Sequence, residues 1–157
     1  MYEIVPRVFF GPAGVTYKPE IIKFTHIINC DSTSRSTNIW AREGRHFLFL
    51  ESSDDVDFPI LAQHFDRLLA FLTDALSDPL SRVYIHCFMG LNRSAALAVA
   101  YACHVSGRSA RQQIAIVRAE SGRPILSNYG FVEQLTSRWP TTTSAGTSLS
   151  SCLPSAT

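Results

Sequence analysis

The stretch HCFMGLNRS, residues 86–94, decides how this chain folds. It follows a run of β-branched and aromatic residues at 82–86, which predicts the central strand of a sheet. It leads into residues 94–101, where small and apolar side chains fill nearly every position, as they do in a buried helix. The stretch is therefore predicted to be a tight turn between a central strand and a buried helix.

Strand-like and helix-like patterns alternate along the rest of the chain. This alternation predicts an α/β fold with a short, mostly parallel central sheet flanked by helices. Further strands are predicted at residues 4–8, 9–10, 25–30 and 46–50, helices at 18–23, 59–77, 109–119 and 128–138, and loops at 31–38 and 51–57.

Composition excludes several classes of protein. The 157 residues suffice for one domain, and 14 basic against 13 acidic residues argue against binding to nucleic acid through bulk charge. No run of 18 apolar residues is present, so we expect no membrane-spanning helix. Residues 140–157 hold ten Ser or Thr and no charge, which predicts a Ser/Thr-rich C-terminal tail after a domain at residues 1–139.

The predicted turn has the chemistry of an oxyanion site. A loop that enters a helix presents backbone N–H groups to an anion such as phosphate, and Gly90 lets the chain curl around it. Arg93 can place two hydrogen bonds on phosphate oxygens. The same donors would stabilise the thiolate of Cys87 and make it nucleophilic, and Ser94 can donate a hydrogen bond to that sulfur.

The other cysteines suggest neither a disulfide framework nor a metal site. Cys30, Cys87, Cys103 and Cys152 are widely spaced, and zinc-ligand spacing is absent, so we expect no metal and no cofactor. Cys103 is interpreted as inert packing. Cys30 ends a predicted neighbouring strand, and we consider it as a partner for oxidised Cys87. Four widely spaced cysteines without a disulfide framework favour an intracellular, cytoplasmic location, with the nucleus as the alternative.

The stretch resembles the H-C-x-x-G-x-x-R-S signature of the cysteine-based protein tyrosine phosphatases, and in particular that of the small (atypical) dual-specificity phosphatases. Residues 4–11, 27–29 and 123–135 are similar to further segments of that family, although Ser127 stands where the family usually has proline. The resemblance covers about residues 4–138 and identifies residues 1–139 as a catalytic domain with a phosphatase P-loop between the central strand and the buried helix.

The resemblance implies a two-step hydrolysis through a phosphocysteine on Cys87, with Arg93 holding the phosphate and Ser94 assisting the sulfur. It also implies that His86 orders the loop and that Asn128 braces it. The substrate phosphate would be bound by the residues of the loop itself: Phe88, Met89, Gly90, Leu91, Asn92 and Arg93.

The family places a proton donor about thirty residues before the cysteine. Asp55 lies 32 residues before Cys87 and ten before Phe65, as the family spacing requires, and it is our first choice. Asp54 is the second choice, and Asp57 is interpreted as a cap for the following helix.

The resemblance implies a phosphorylated protein as substrate, with both phosphotyrosine and phosphoserine or phosphothreonine reaching the cysteine. No stable nucleic-acid or membrane partner is expected, and the oligomeric state is not predicted. Three alternatives stay open: an RNA 5′-triphosphatase, a phosphoinositide phosphatase and an inactive phosphopeptide-binding module. Arginines on the last helices are interpreted as a solvated face, with attraction of an anionic substrate as the alternative; they are Arg111, Arg118 and Arg123.

Overall fold

The computed structural model describes residues 1–32 and 45–141. The strands are β1 (Tyr2–Val5), β2 (Val8–Pro12), β3 (His26–Asn29), β4 (His46–Phe49) and β5 (Val83–Cys87). The α-helices of this part are α1 (Ile60–Ser77), α2 (Arg93–Ser106), α3 (Ala110–Ser121) and α4 (Tyr129–Arg138). Two short 3₁₀ helices, Ala13–Tyr17 and Pro19–Lys23, connect β2 to β3.

The strands form one sheet in the order β1-β2-β5-β3-β4. β2, β5, β3 and β4 are parallel, and β1 is antiparallel to β2. The predicted short, mostly parallel sheet with β5 at its centre is therefore confirmed. The prediction of one strand over residues 4–8 is wrong, because the chain turns between β1 and β2 at Arg7, whose φ is 71°.

The core lies between the sheet and the helices that pack on one of its faces. All five residues of β5 are buried, and alternate side chains point to opposite faces of the sheet. Val83 and Ile85 join the large cluster that contains α2, whereas Tyr84 packs with Phe9 and Phe24 on the other face. The ten residues 94–103 of α2 are all buried, as the small apolar pattern predicted.

Helix ends explain most of the remaining differences from the sequence-based predictions. Ser109 caps α3 through a capping box with Gln112. Pro59 precedes α1, but no side chain caps that helix and Asp57 is exposed, so the predicted cap at Asp57 is wrong. The helix predicted at residues 18–23 is instead a 3₁₀ turn that begins at Pro19.

Some predicted features cannot be compared, because residues 33–38 of the predicted loop and 142–157 of the predicted tail lie outside the described residues. Within residues 1–32 and 45–141, no helix has both the length and the apolar composition needed to cross a membrane.

The sheet brings three chain segments together at one edge. The carboxyl ends of parallel strands lie at the same edge, so Cys87 at the end of β5, Asp31 after β3 and Ser52 after β4 converge there. A functional site is therefore expected beyond that edge of the sheet.

Candidate active site

The loop that joins β5 to α2, here called the cysteine loop (residues 87–93), is bent back tightly at Gly90. Gly90 has a φ of 66°, and a Cβ atom there would lie 2.1 Å from the carbonyl carbon of Gly11 in β2. A side chain at this position would therefore be strained in its backbone and would also collide with the sheet. Glycine is required here by conformation and by space.

Hydrogen bonds from outside the cysteine loop turn its carbonyl groups outward. Ala13 N donates to Phe88 O at 3.2 Å, and Leu126 N donates to Leu91 O at 2.7 Å. Arg123 Nη2 donates to Met89 O at 3.0 Å. In a trans peptide the N–H points opposite to the carbonyl, so the N–H groups of residues 89, 90 and 92 face the inside of the loop. Convergent N–H donors of this kind are able to bind an anion.

The Cys87 thiol lies at the base of this loop. It is 2% exposed, and its Sγ is 3.3 Å from the Oγ of Ser94 in the first turn of α2. Ser94 is fully buried. The sulfur therefore lies between the cysteine loop, a hydroxyl group and the N-terminus of α2.

The Arg93 guanidinium is held from its outer side. Its Nη1 donates to Asp31 Oδ1 at 2.9 Å and to Ser52 O at 3.3 Å. Its Nε is buried and has no hydrogen-bond partner within residues 1–32 and 45–141. A bound anion would satisfy that donor. Sequence reasoning missed Asp31; the available signal was an acid directly after a buried strand.

Asp54 and Asp55 have different surroundings, although both are exposed on the acidic loop (residues 51–57). The Asp54 carboxylate accepts from Asn92 Nδ2 at 3.1 Å and from Asn128 Nδ2 at 3.0 Å. The Asp55 carboxylate accepts a short hydrogen bond from the Ser53 hydroxyl. Asp54 is thus tied to the cysteine loop through Asn92, whereas the bond of Asp55 stays within its own loop.

Asn92 and Asn128 join the two loops to α4. Asn92 Oδ1 accepts from Ser127 Oγ at 3.2 Å and from Asn128 N at 3.1 Å. Asn128 also caps α4, because its Oδ1 accepts from Gly130 N at 3.1 Å. The serine that replaces the usual proline therefore contributes a hydroxyl to this network. Sequence reasoning placed Asn92 among the phosphate-binding residues and did not foresee this contact with Asp54.

Arg118 is exposed, as predicted, and Arg123 is only half-buried, but both also donate hydrogen bonds to backbone carbonyls. Arg118 Nη2 donates to Ile125 O at 2.8 Å and to Leu126 O at 3.1 Å, and Arg123 holds the Met89 carbonyl. Both support the segment of residues 123–128 that braces the cysteine loop. Arg111 is exposed, as predicted.

His86 is buried beside the site without a polar partner. It is 2% exposed, neither ring nitrogen has a hydrogen-bond partner in the described part of the chain, and the ring stacks on Tyr84 at 5.9 Å between centroids. Burial lowers the pKa of His86 to about 4, while Asp31 acts in the opposite direction. The ring is therefore neutral at physiological pH and is unsuited to proton transfer.

Cys30 lies next to Cys87 across two neighbouring strands. It is fully buried, its N–H donates to His86 O at 2.7 Å, and it follows β3 at the level of Cys87 in the neighbouring strand. Burial raises the pKa of the Cys30 thiol well above its ordinary value, so it is protonated at neutral pH. A link between Cys30 and Cys87 after oxidation stays a prediction.

Comparison with known proteins agrees with this geometry. The family model of the dual specificity phosphatase catalytic domain matches residues 11–138. The chain belongs to the dual-specificity phosphatase family. It is 31% identical over 140 residues to mouse dual specificity protein phosphatase 13B, a match that covers 85% of this chain and 69% of that one. It is 28% identical over 138 residues to bovine dual specificity protein phosphatase 26, and that match covers 85% of this chain and 64% of the relative.

Solved structures have the same fold. The crystal structure of DUSP15 superposes with a TM-score of 0.77 at 21% identity, covering 87% of this chain and 85% of that one. The crystal structure of human tyrosine phosphatase-like serine/threonine/tyrosine-interacting protein superposes with a TM-score of 0.71 at 28% identity, and the match covers 87% of this chain and 93% of that one. The predictions of an α/β phosphatase fold and of a cysteine-based dual-specificity protein phosphatase are confirmed, and phosphorylated proteins are the substrates that this family implies. The RNA and inositol-lipid alternatives are not favoured.

Replacing Gly90 with alanine tests the cysteine loop of this dual-specificity phosphatase. Gly90→Ala should lower kcat/KM for an aryl phosphate by about 100-fold or more, because the new methyl displaces the phosphate-binding amides. Gly107→Ala is the matched control, since Gly107 has a φ of 70° and no heavy atom within 4 Å. It should cost about 1 kcal/mol of stability and leave kcat/KM unchanged. Equal activity of the two variants would contradict the requirement for glycine at position 90.

The buried His86 should make stability fall in acid. Its pKa is lower in the folded than in the unfolded state, so stability present above pH 6.5 is lost as the pH falls towards 4, by about 1.4 kcal/mol per unit. Urea unfolding at pH 7.5 and 4.5 should show a loss about 2 to 3 kcal/mol greater in the wild type than in His86→Asn. His104→Asn, at an exposed histidine, should behave like the wild type. The same acid loss in His86→Asn would refute the assignment.

Proposed function

We propose that this phosphatase acts through a phosphocysteine intermediate on Cys87, and that residues 1–139 form its catalytic domain, with residues 140–157 as a tail outside it. The observation that carries the mechanism is the position of Cys87 Sγ at the base of the cysteine loop, 3.3 Å from Ser94 Oγ. The N–H donors that surround this sulfur suit three phosphate oxygens, and they suit the thiolate when no substrate is bound.

In the first step the Cys87 thiolate attacks phosphorus from the side opposite the leaving oxygen. A sulfur–phosphorus bond forms, the phosphorus–oxygen bond to the protein substrate breaks, and the leaving oxygen takes a proton. The Arg93 guanidinium, with its buried Nε, and the inward N–H groups hold the remaining oxygens while their charge changes. Positioning Arg93 is the role that we assign to Asp31.

We assign the proton donor to Asp54. The family spacing alone favours Asp55, the residue next to Asp54. However, the Asp54 carboxylate accepts a hydrogen bond from Asn92 in the cysteine loop, whereas the Asp55 carboxylate accepts one from Ser53. A donor must lie within reach of the leaving oxygen, which sits above the cysteine loop. In the second step Asp54 accepts a proton from the attacking water, phosphate is released, and Ser94 donates a hydrogen bond to the departing sulfur.

The rim of the site supports action on both kinds of phosphoresidue. Phe88 and Met89 are 64% and 58% exposed, so they lie on the surface at the mouth instead of walling a deep pocket. A shallow site admits the short phosphoserine and phosphothreonine side chains as well as phosphotyrosine. The chemistry needs a reduced Cys87, and Cys30 and Cys103 are also free thiols, which favours a cytoplasmic or nuclear location.

Replacing the nucleophile tests the mechanism. Cys87→Ser should abolish turnover of phosphopeptides, by about 10⁴-fold or more, yet still bind them, because the anion site is intact. Binding can be measured by titration with a fluorescent phosphopeptide. Cys103→Ser makes the same chemical change at a buried thiol in α2 and should keep its activity. Turnover by Cys87→Ser would overturn the mechanism, and a wild type without turnover would restore the binding-module alternative.

Two amide variants distinguish the candidate acids. Asp54→Asn should lower kcat for a phosphotyrosine peptide by about 100-fold and remove the alkaline limb of its pH profile. The loss should be much smaller with an aryl phosphate whose leaving group has a low pKa, since that oxygen needs no proton. Asp55→Asn should remain near wild type in both assays. A leaving-group-dependent loss in Asp55→Asn instead would return the role to Asp55.

A further inference from the structure

We propose that an open groove beside the acidic loop binds the peptide segment that flanks the phosphorylated residue, and that it selects segments containing lysine or arginine. This inference rests on the proposed function, because it needs the phosphate to be bound at the cysteine loop. The side groove, as we call it, lies between the start of α1 and the exposed face of α4 and has a volume of about 730 Å³.

One end of the side groove adjoins the candidate active site. Val56, which lines the side groove, lies two residues after Asp54, and Tyr129, which also lines it, follows Asn128, whose amide binds Asp54. α4 touches the acidic loop at this end, since a Cβ on Gly130 would lie only 1.9 Å from Val56 O. A substrate that leaves the cysteine loop in this direction therefore passes directly into the side groove.

The floor of the side groove is apolar and its wall is fixed. Val56, Pro59, Leu61 and Ala62 supply the floor. Gln134 holds the wall in place, because its Nε2 donates to the Phe58 carbonyl at 2.9 Å and its Oε1 accepts from the Leu61 N–H at 3.3 Å. A groove that exists before binding costs little ordering when a peptide enters.

The rim of the side groove is acidic. Asp57 and Glu133 are exposed there, and within residues 1–32 and 45–141 neither carboxylate has a hydrogen bond or an ion pair. Arg138 at the far end, with its guanidinium 4.5 Å from the Phe65 ring centroid and 5.3 Å from that of Trp139, adds one positive charge, so two carboxylates against one guanidinium leave the lining with a net negative charge. A lysine or arginine fits this arrangement, because its aliphatic stem covers the apolar floor while its head group pairs with a carboxylate.

The length of the groove limits where the basic residue can be. α4 extends for about 13 Å from Tyr129 to Arg138, which matches about four residues of extended peptide. Glu133 lies one turn along α4 from Tyr129. The basic residue is therefore expected roughly two to four positions from the phosphorylated one.

The test compares phosphotyrosine peptides that differ only in arginine, alanine or glutamate at these positions, on either side of the phosphoresidue. With the full-length wild type at low salt, kcat/KM should decrease from arginine to alanine to glutamate on one side. Glu133→Arg should reverse this order, with a change of about fivefold per peptide, since rim charge pairs are exposed. An aryl phosphate, which is too small to reach the side groove, should give the same kcat/KM with both proteins.

The matched control is Asp74→Arg, which makes the same change of charge at an exposed position of α1 about 18 Å along the helix from Ala62. It should leave the peptide order unchanged. Wild-type rates that are independent of the flanking charge, or equal effects of Glu133→Arg and Asp74→Arg, would overturn the side groove while leaving the proposed mechanism intact. A wild type that hydrolyses aryl phosphate but no phosphopeptide would overturn the proposed protein substrate and the side groove together.

Discussion

The outward hydrogen bonds of the cysteine loop are the constraint on which the rest of the site depends. Three carbonyl groups of the loop each accept one hydrogen bond, from Leu126 N at 2.7 Å, from Ala13 N at 3.2 Å and from Arg123 Nη2 at 3.0 Å. Each such bond directs the N–H of the same peptide inward. The donors come from two separate parts of the chain, the residue that follows β2 and the segment of residues 123–128. The inward ring of N–H groups therefore exists only when the whole domain is folded, and the α2 helix dipole adds to it.

The same bracing segment connects the two loops that the chemistry needs. Asn92 belongs to the cysteine loop, and its side chain bonds both Asp54 and the segment that contains Ser127 and Asn128. The acidic loop is thus held by the same segment that donates a hydrogen bond to the Leu91 carbonyl of the cysteine loop. A proline in place of Ser127 would restrict the backbone but offer no hydroxyl to Asn92. In this chain the hydrogen bond from the Ser127 hydroxyl to Asn92 helps to hold the segment in place, where a proline ring would restrict its backbone.

Local patterns were enough to predict β5, α2 and the turn between them, because burial periodicity and the positive φ that Gly90 supplies act within a few residues. Contacts made by tertiary convergence could not be predicted. Asp31 meets Arg93 only because β3 lies next to β5, and the contact of Asn92 with Asp54 depends on how the acidic loop packs against α4. The predicted cap at Asp57 was wrong for a local reason, since α1 begins at Ile60 with Pro59 at its N-cap position, two residues after Asp57.

In the mechanism that we propose, the site would hold phosphate mainly with backbone dipoles and little net charge. Asp31 already pairs with Arg93, and the chain as a whole has a net charge of only +1, so the attraction for phosphate would come chiefly from backbone N–H groups at short range. Such an interaction is weakly screened by salt, because the donors touch the ligand. The side groove differs, since its carboxylates are exposed and act through solvent. Moderate salt should therefore erase the preference for flanking charge well before it weakens phosphate binding, which separates recognition of the peptide from recognition of the phosphate.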